Sequence, residues 1–383
     1  MFNAGRFSLA RRRRGMTKKT LASEVGVSER SISAYEAGDQ EPERVTLLRI
    51  SEALGFPEAF FFGDEPEILS PGIASFRSLS KMSARQRDTA LGAGSIALML
   101  NEWIEGRFNL PAVDVLDLGR ERAATAPTGG VSDGGVSYPS DSGAGSPEAA
   151  ASTLRSHWGL GEMPVKNMIK LLEAKGIRVY SLAIDAKEVD AFSMWHGGRP
   201  FMFLNTFKSA EHCRFDAAHE LGHLVMHKHG SPQGPDIERE ANAFASAFLM
   251  PKASVLAKAP RLVTLPGLVR LKKYWAVSVA ALNYRLHALG LTSEWTYRTL
   301  CIQLASEGYR TQEPEGAPHE RSLLLEKVFG ALKDEGVSRR DVAAQLNLGA
   351  EELGALTFGL ILNLLPGTGG GGGRKKGNLS LVR

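Results

Sequence analysis

The chain has 383 residues, 43% of them hydrophobic, with 46 Lys and Arg against 42 Asp and Glu, a net charge of +4. That length allows two or three domains with a substantial core, and so small a net charge does not by itself imply a nucleic-acid partner. Cys213 and Cys301 are too few and too far apart for a disulfide framework, no apolar run approaches the ~20 residues of a membrane span, and no apolar stretch follows the basic N-terminus as in a secretory signal; a cytoplasmic protein with no membrane partner is expected.

Charge is unevenly spread. Residues 1–35 hold eight basic side chains and two acidic ones, a local field that suits a phosphate-binding face or simply a solvated helix. Within it, Thr17 can cap a helix over Lys18–Val25, Gly26 gives a turn, and Ser28 caps a second helix from Glu29 to Ala37 that Gly38 ends. Leu21, Val25, Val27 and Ile32 are spaced so that both helices share one small core, and Arg44–Leu54 supplies a closing amphipathic helix. Arg6–Phe62, with its Ser-x-x-x-Ile-Ser-x-x-Glu-x-Gly pattern at Ser28–Gly38, resembles the phage-repressor-like (XRE, Cro/C1-type) helix-turn-helix family. The resemblance implies that Glu29–Tyr35 enters the major groove of double-stranded DNA, with Glu29, Arg30, Ser33 and Ala34 at base edges. Lys18, Lys19 and Arg11–Arg14 are then expected on phosphates; the family often has Gln where Lys18 stands.

Helical periodicity continues over Leu69–Leu118, and Ala123–Ala151, rich in Gly, Ser, Ala, Pro and Thr, reads as a flexible linker. A helix is expected at Val165–Leu172. Strands follow at Ile177–Leu182, Ala191–Trp195 and Phe201–Leu204, the last read either as an edge strand open to β-addition of a peptide or as plain core. Two helices are expected at Arg214–His229 and Ile237–Leu249, the second stopped by Pro251. Leu268–Gly308 reads as three helices and Ser322–Phe358 as a further small helical unit; no solenoid-type repeat is evident. The aromatics Tyr274, Trp275, Tyr284, Trp295 and Tyr297 are expected mainly as core rather than as a ligand pocket.

The sharpest signal is His219-Glu220-Leu221-Gly222-His223. At i and i+4 of a helix two imidazoles point the same way and can share one Zn2+, and Glu220 between them is placed to take a proton from water there. A third ligand should come from a second helix. Glu238 is the candidate, with Asn242 one turn later to accept from a ligating His N–H; Glu240 is the alternative but lacks that Asn partner. His227, about 12 Å along the helix axis from His219, is too far to share the ion and is expected at the surface or behind a ligand. Cys213 reads as a free thiol, and no residue presents itself as an oxyanion stabiliser.

With Arg214-Phe215 and Ala218 before the motif and Glu238-x-x-Ala-Asn-x-Phe-Ala-x-x-Phe-Leu-Met-Pro251 after it, residues 165–256 resemble the ImmA/IrrE zinc metallopeptidase family. The resemblance implies a gluzincin-like core, and 268–309 resembles the helical extension of repressor–peptidase fusions. The expected fold is mainly α with a small β-sheet (α+β). Its expected units are a DNA-binding head (1–65), a helical connector (66–122), the linker (123–151), the peptidase core (152–256), the extension (257–310), a small helical unit (318–360) and a disordered tail (361–383). The function expected is a homodimeric transcription regulator that cuts itself or a partner repressor on a stress or mobile-element signal. A non-proteolytic repressor with a ligand- or metal-sensing zinc domain, and an antitoxin-type regulator, are the alternatives.

Overall fold

The structure, a computed structural model, describes residues 1–70, 82–119, 145–182, 191–227 and 234–358. The head consists of α1 (Ala4–Arg13), α2 (Lys18–Val25), α3 (Glu29–Ala37) and α4 (Arg44–Leu54), closed by a 3-10 turn at Glu58–Phe62. Thr17 and Ser28 accept the backbone N–H of Thr20 and Ser31, capping α2 and α3 as their sequence positions demand. Gly26 turns the chain between them at φ +72°, a left-handed conformation that costs an L-residue side chain dearly. Phe7, Leu21, Val25, Ile32, Ile50 and Leu54 fill the core of the head.

The long helix α5 (Ala84–Glu105) lies between this head and the sheet. Small residues make that possible. A Cβ on Gly92 would meet the Arg13 backbone at 3.0 Å, and one on Gly94 would meet the Phe192 ring at 3.3 Å and Leu69 at 2.7 Å. The helix stops at Glu105, so the periodicity expected as far as Leu118 ends a dozen residues early.

Three strands follow, β1 (Arg178–Ser181), β2 (Ala191–His196) and β3 (Arg199–Leu204), in the order β1-β3-β2, with β1 parallel and β2 antiparallel to β3. Phe201–Leu204 is therefore the central strand, which excludes the expected role as an edge strand for a substrate. Alternation along the strands splits their side chains between two cores. Tyr180, Phe192, Met194, Phe201 and Phe203 join α5 and the head, while Val179, Ala191, Met202 and Leu204 face the helices on the other side. Those helices are α6 (Pro147–His157), α7 (Met168–Ala174), α8 (Ala210–Met226), α9 (Pro235–Leu249), α10 (Lys252–Lys258), α11 (Leu265–Trp275), α12 (Val279–Ala288) and α13 (Glu294–Ser306). Finally α14 (Leu323–Asp334), α15 (Arg339–Gln345) and α16 (Ala350–Leu356) return to the core shared by head and sheet.

The fold is mostly helical with one small mixed sheet, as the sequence implies. Three local expectations change. Residues 147–151, expected as linker, open α6, with Pro147 in its first turn and Ser146 as cap, while 120–144 and the tail from 359 lie outside the described residues. The head, expected as a unit of its own, also shares one buried core with the helix of the expected connector and with the sheet. Of the extension's aromatics only Trp275 is fully buried; Tyr274, Tyr284 and Trp295 are exposed, because their positions on α11–α13 face outward. Among the described residues, no helix is long and apolar enough to cross a membrane.

Candidate metal centre

Helix α8 presents His219 and His223 one turn apart, and α9 packs across it with Glu238 in its first turn. The approach is close because Gly222 faces α9, where a Cβ would meet the Phe244 ring at 3.0 Å and the Ala241 backbone at 3.4 Å. The two Nε2 atoms lie 3.0 Å apart. Glu238 Oε2 stands 3.2 Å from His219 Nε2, and its Oε1 3.6 Å from His223 Nε2. One ligand atom from each residue falls within 4.8 Å of the others, and all three side chains are largely buried.

The proton positions that the surrounding bonds favour leave both Nε2 lone pairs facing inward. His219 Nδ1 donates to Asn242 Oδ1 at 3.1 Å, which reserves Nε2 for a metal. On the other ring, Glu240 Oε2 accepts from His227 Nε2 at 3.0 Å. His227 Nδ1 is thereby left to accept from His223 Nδ1, also at 3.0 Å, and His223 Nε2 is free of its proton. Two lone pairs and a carboxylate converging at such distances repel unless a cation lies among them, so the donor set fits a divalent ion bound by nitrogen and oxygen.

Glu220 sits between the two histidines in sequence, and its carboxylate lies near enough to His219 and Glu238 to interact with both while one oxygen bonds to β2. Its Oε2 accepts from Ser193 Oγ at 2.6 Å. Ser193 belongs to the β2 face that carries Ala191 and Trp195, and Trp195 Nε1 donates to the Leu224 carbonyl, pinning the strand to α8. Burial pushes the Glu220 carboxyl up to about 7, against the opposing pull of His219 and of the Ser193 bond. A group poised there can hold or release a proton near neutrality.

Residues 172–287 match the peptidase-family model described as the IrrE N-terminal-like domain, and residues 8–61 match the one described as helix-turn-helix. The chain joins a helix-turn-helix DNA-binding domain to an IrrE-like metallopeptidase domain. No curated protein matches the chain.

In the metallopeptidase domain, sequence reasoning brought together His219, His223, Glu238 and Asn242. It missed Ser193, 27 residues before Glu220 on a strand, and the pairing of Glu240, weighed only as an alternative ligand, with His227. Of the two places expected for His227, too far from His219 to share an ion, it takes the one behind a ligand, 3.0 Å from His223 Nδ1. Beside Asn242 opens a cavity of about 650 Å³, lined by Phe215 and His212 of α8, Asn242 and Ser246 of α9, Tyr284 of α12 and Tyr309. It reaches the residue that orients His219 and is large enough for a peptide side chain or a small molecule. Cys213 is a free thiol whose Sγ donates to the Asn205 carbonyl; burial pushes it up to about 12, so it is not a nucleophile at neutral pH.

In the helix-turn-helix domain, Glu29 and Arg30 are exposed at the start of α3, Ser33 and Ala34 are half-buried one turn on, and Lys19 is exposed on α2. Lys18 is partly tied back, 3.1 Å from Glu36 and 3.3 Å from Ser33 Oγ. The basic cluster Arg11–Arg14 is not a phosphate-facing row. Arg11 pairs with Glu36 at 2.7 Å, while Arg13 and Arg14 both pair with Glu352 at 2.5 and 2.7 Å; only Arg12 is exposed. The reason is helical geometry: three of four successive positions cannot all face solvent on a helix packed between α3 and α5.

Proposed function

We propose that this protein is a zinc-dependent endopeptidase attached to its own DNA-binding head, and that it regulates transcription by cutting a repressor. The reading rests on one observation above all: one donor atom each of His219, His223 and Glu238 lies within 4.8 Å of the others, with Asn242 and the His227–Glu240 pair bonded to the far sides of the two rings and Glu220 close by. Zinc held by His219, His223 and Glu238 would supply Lewis acidity for activating water near neutral pH. Glu220 takes the proton from the attacking water and returns it to the leaving amine. Ser193 holds the carboxylate in one rotamer, and Asn242 fixes the ring of His219. The cavity beside Asn242 receives the part of the peptide that flanks the scissile bond.

Glu29, Arg30, Ser33 and Ala34 read base edges in the major groove, with Lys18 and Lys19 on phosphates. A homodimer on a roughly palindromic operator satisfies the symmetry of such heads. The cut falls in a partner repressor bound nearby or in this chain's own Gly/Ser-rich stretch before α6.

One observation favours a second reading. Glu220 is only 5% exposed and already bonded to Ser193, an arrangement that suits a zinc domain which senses a ligand in the adjoining cavity and never cuts. Zinc-loaded wild type and Glu220→Gln, compared in cells under DNA damage and nutrient change, separate the two. Fragments and induction confined to wild type support the peptidase; equal induction with both proteins intact supports the sensor.

A further inference from the structure

The three helices Leu323–Asp334, Arg339–Gln345 and Ala350–Leu356 follow Ala4–Arg13, Lys18–Val25 and Glu29–Ala37 to within about two residues at an offset of 321 positions, so that Thr17 has its counterpart in Ser338. After the first helix of each set, Gly15 and Gly336 take left-handed φ values of +61° and +79°. Met16 N–H then bonds the Arg11 carbonyl at 3.1 Å, and Val337 N–H bonds Leu332 at 2.8 Å. Thr17 and Ser338 cap the next helices by accepting from Thr20 and Asp341, three residues on in each case. The turn is the same as well. Gly26 at φ +72° is matched by Asn347 at +55°, the non-glycine residue that best tolerates that region. Val27 N–H bonds Ala22 at 3.0 Å and Leu348 N–H bonds Ala343 at 2.8 Å; Ile32 to Ser28 and Leu353 to Gly349 are both 3.2 Å. The buried positions coincide: Phe7 with Val328, Leu21 with Val342, Val25 with Leu346, Ile32 with Leu353, Tyr35 with Leu356.

What differs is the surface of the second helix of each turn. On α3, Glu29 and Arg30 are exposed. Their counterparts Ala350 and Glu351 are exposed too, but where α3 has half-buried Ser31 and Ser33, α16 has buried Glu352 and Gly354, and Glu352 accepts from both Arg13 and Arg14 of the head. The counterpart of Arg30 is Glu351, a carboxylate that DNA phosphates would repel. The start of the segment is fastened to the metallopeptidase domain. Glu173 of α7 accepts from Ser322 Oγ and Leu324 N–H, and Glu320 joins the first turn of α7 to Arg214 of α8.

We propose that residues 323–358 form a second helix-turn-helix, and that its second helix takes this chain's own DNA-binding head as its partner in place of DNA. The segment thereby brackets the head to the metal-bearing helix. This inference holds whether or not any peptide bond is cut.

Two measurements on the full-length protein test it. In hydrogen–deuterium exchange, Glu352→Gln should speed exchange in α1 and α16 together by about tenfold or more, with α8 and α9 unchanged. Unchanged protection of α1 would overturn the docking assignment. In DNA titrations against salt, Lys19→Ala should lower the slope by about one, whereas Arg340→Ala at the counterpart position should leave slope and footprint as they are. A slope or footprint changed by Arg340→Ala would show the second motif on DNA and overturn the proposal.

Discussion

Ser193 Oγ lies 2.6 Å from Glu220 Oε2, a bond that ties the edge strand β2 to the acid on α8. A hydrogen bond to a charged group contributes about 1.5–3 kcal/mol, which corresponds to roughly ten- to hundredfold in rate. Ser193→Ala should therefore slow peptide cleavage by that factor while zinc content stays at the wild-type level. Loss of metal in this variant would instead assign Ser193 a structural role.

The zinc itself is expected at one per chain. His219→Ala, His223→Ala and Glu238→Ala should each lower stoichiometry strongly in elemental analysis, and Glu220→Gln should not, since Glu220 is bonded to Ser193 and is not one of the three converging donors. Undiminished zinc in the His219→Ala, His223→Ala double variant contradicts the site.

Behind His223, the His227–Glu240 pair fixes the tautomer of a ligand without touching the ion. Substituting such supporting residues weakens metal affinity by about 10- to 100-fold. His227→Ala should do so, and Glu240→Gln should produce a smaller loss, both read by competition with a chelator. Equal affinity in wild type and His227→Ala removes the pair from the account.

For DNA, Arg30→Ala should lose about 1–3 kcal/mol on the operator and relax preference at one base pair. Arg12→Ala, at the one exposed side chain of Arg11–Arg14, should change the salt slope more than any substitution of Arg11. A footprint insensitive to Arg30 would move base reading elsewhere on α3.

Much of this was legible from local spacing. Residues four apart on a helix meet whatever the rest of the chain does, which is why His219 and His223 declare a metal site and Thr17, Gly26 and Ser28 a helix-turn-helix. What escaped depends on partners distant in sequence. Ser193 reaches Glu220 because a strand alternates its faces, and Glu352 pairs with two arginines more than 330 residues away. The second helix-turn-helix shares few identities with the first, since hydrophobic positions tolerate exchange of Leu, Val and Ile and Asn347 replaces the turn glycine.

Acid should loosen the head. Burial works to raise the Glu352 carboxyl, but Arg13 and Arg14 outweigh it and hold it below the ordinary value of 4.5. A carboxylate with a depressed folded-state pKa stabilises above its unfolded value, and that stabilisation is lost as pH falls through the folded one. Stability measured by denaturant should thus decline as pH drops below about 4.5, and Glu352→Gln should lack that part of the decline. An identical acid slope in both proteins contradicts the assignment.

The central claim, that this metal centre cuts a peptide bond, is tested most directly by incubating zinc-loaded wild type and zinc-loaded Glu220→Gln with extract from induced cells and identifying new peptide termini by mass spectrometry. The account predicts a discrete cut, in a DNA-binding partner or in this chain, that appears with wild type, disappears with a chelator and is absent with Glu220→Gln. The same termini from both proteins, or none from either, would contradict it.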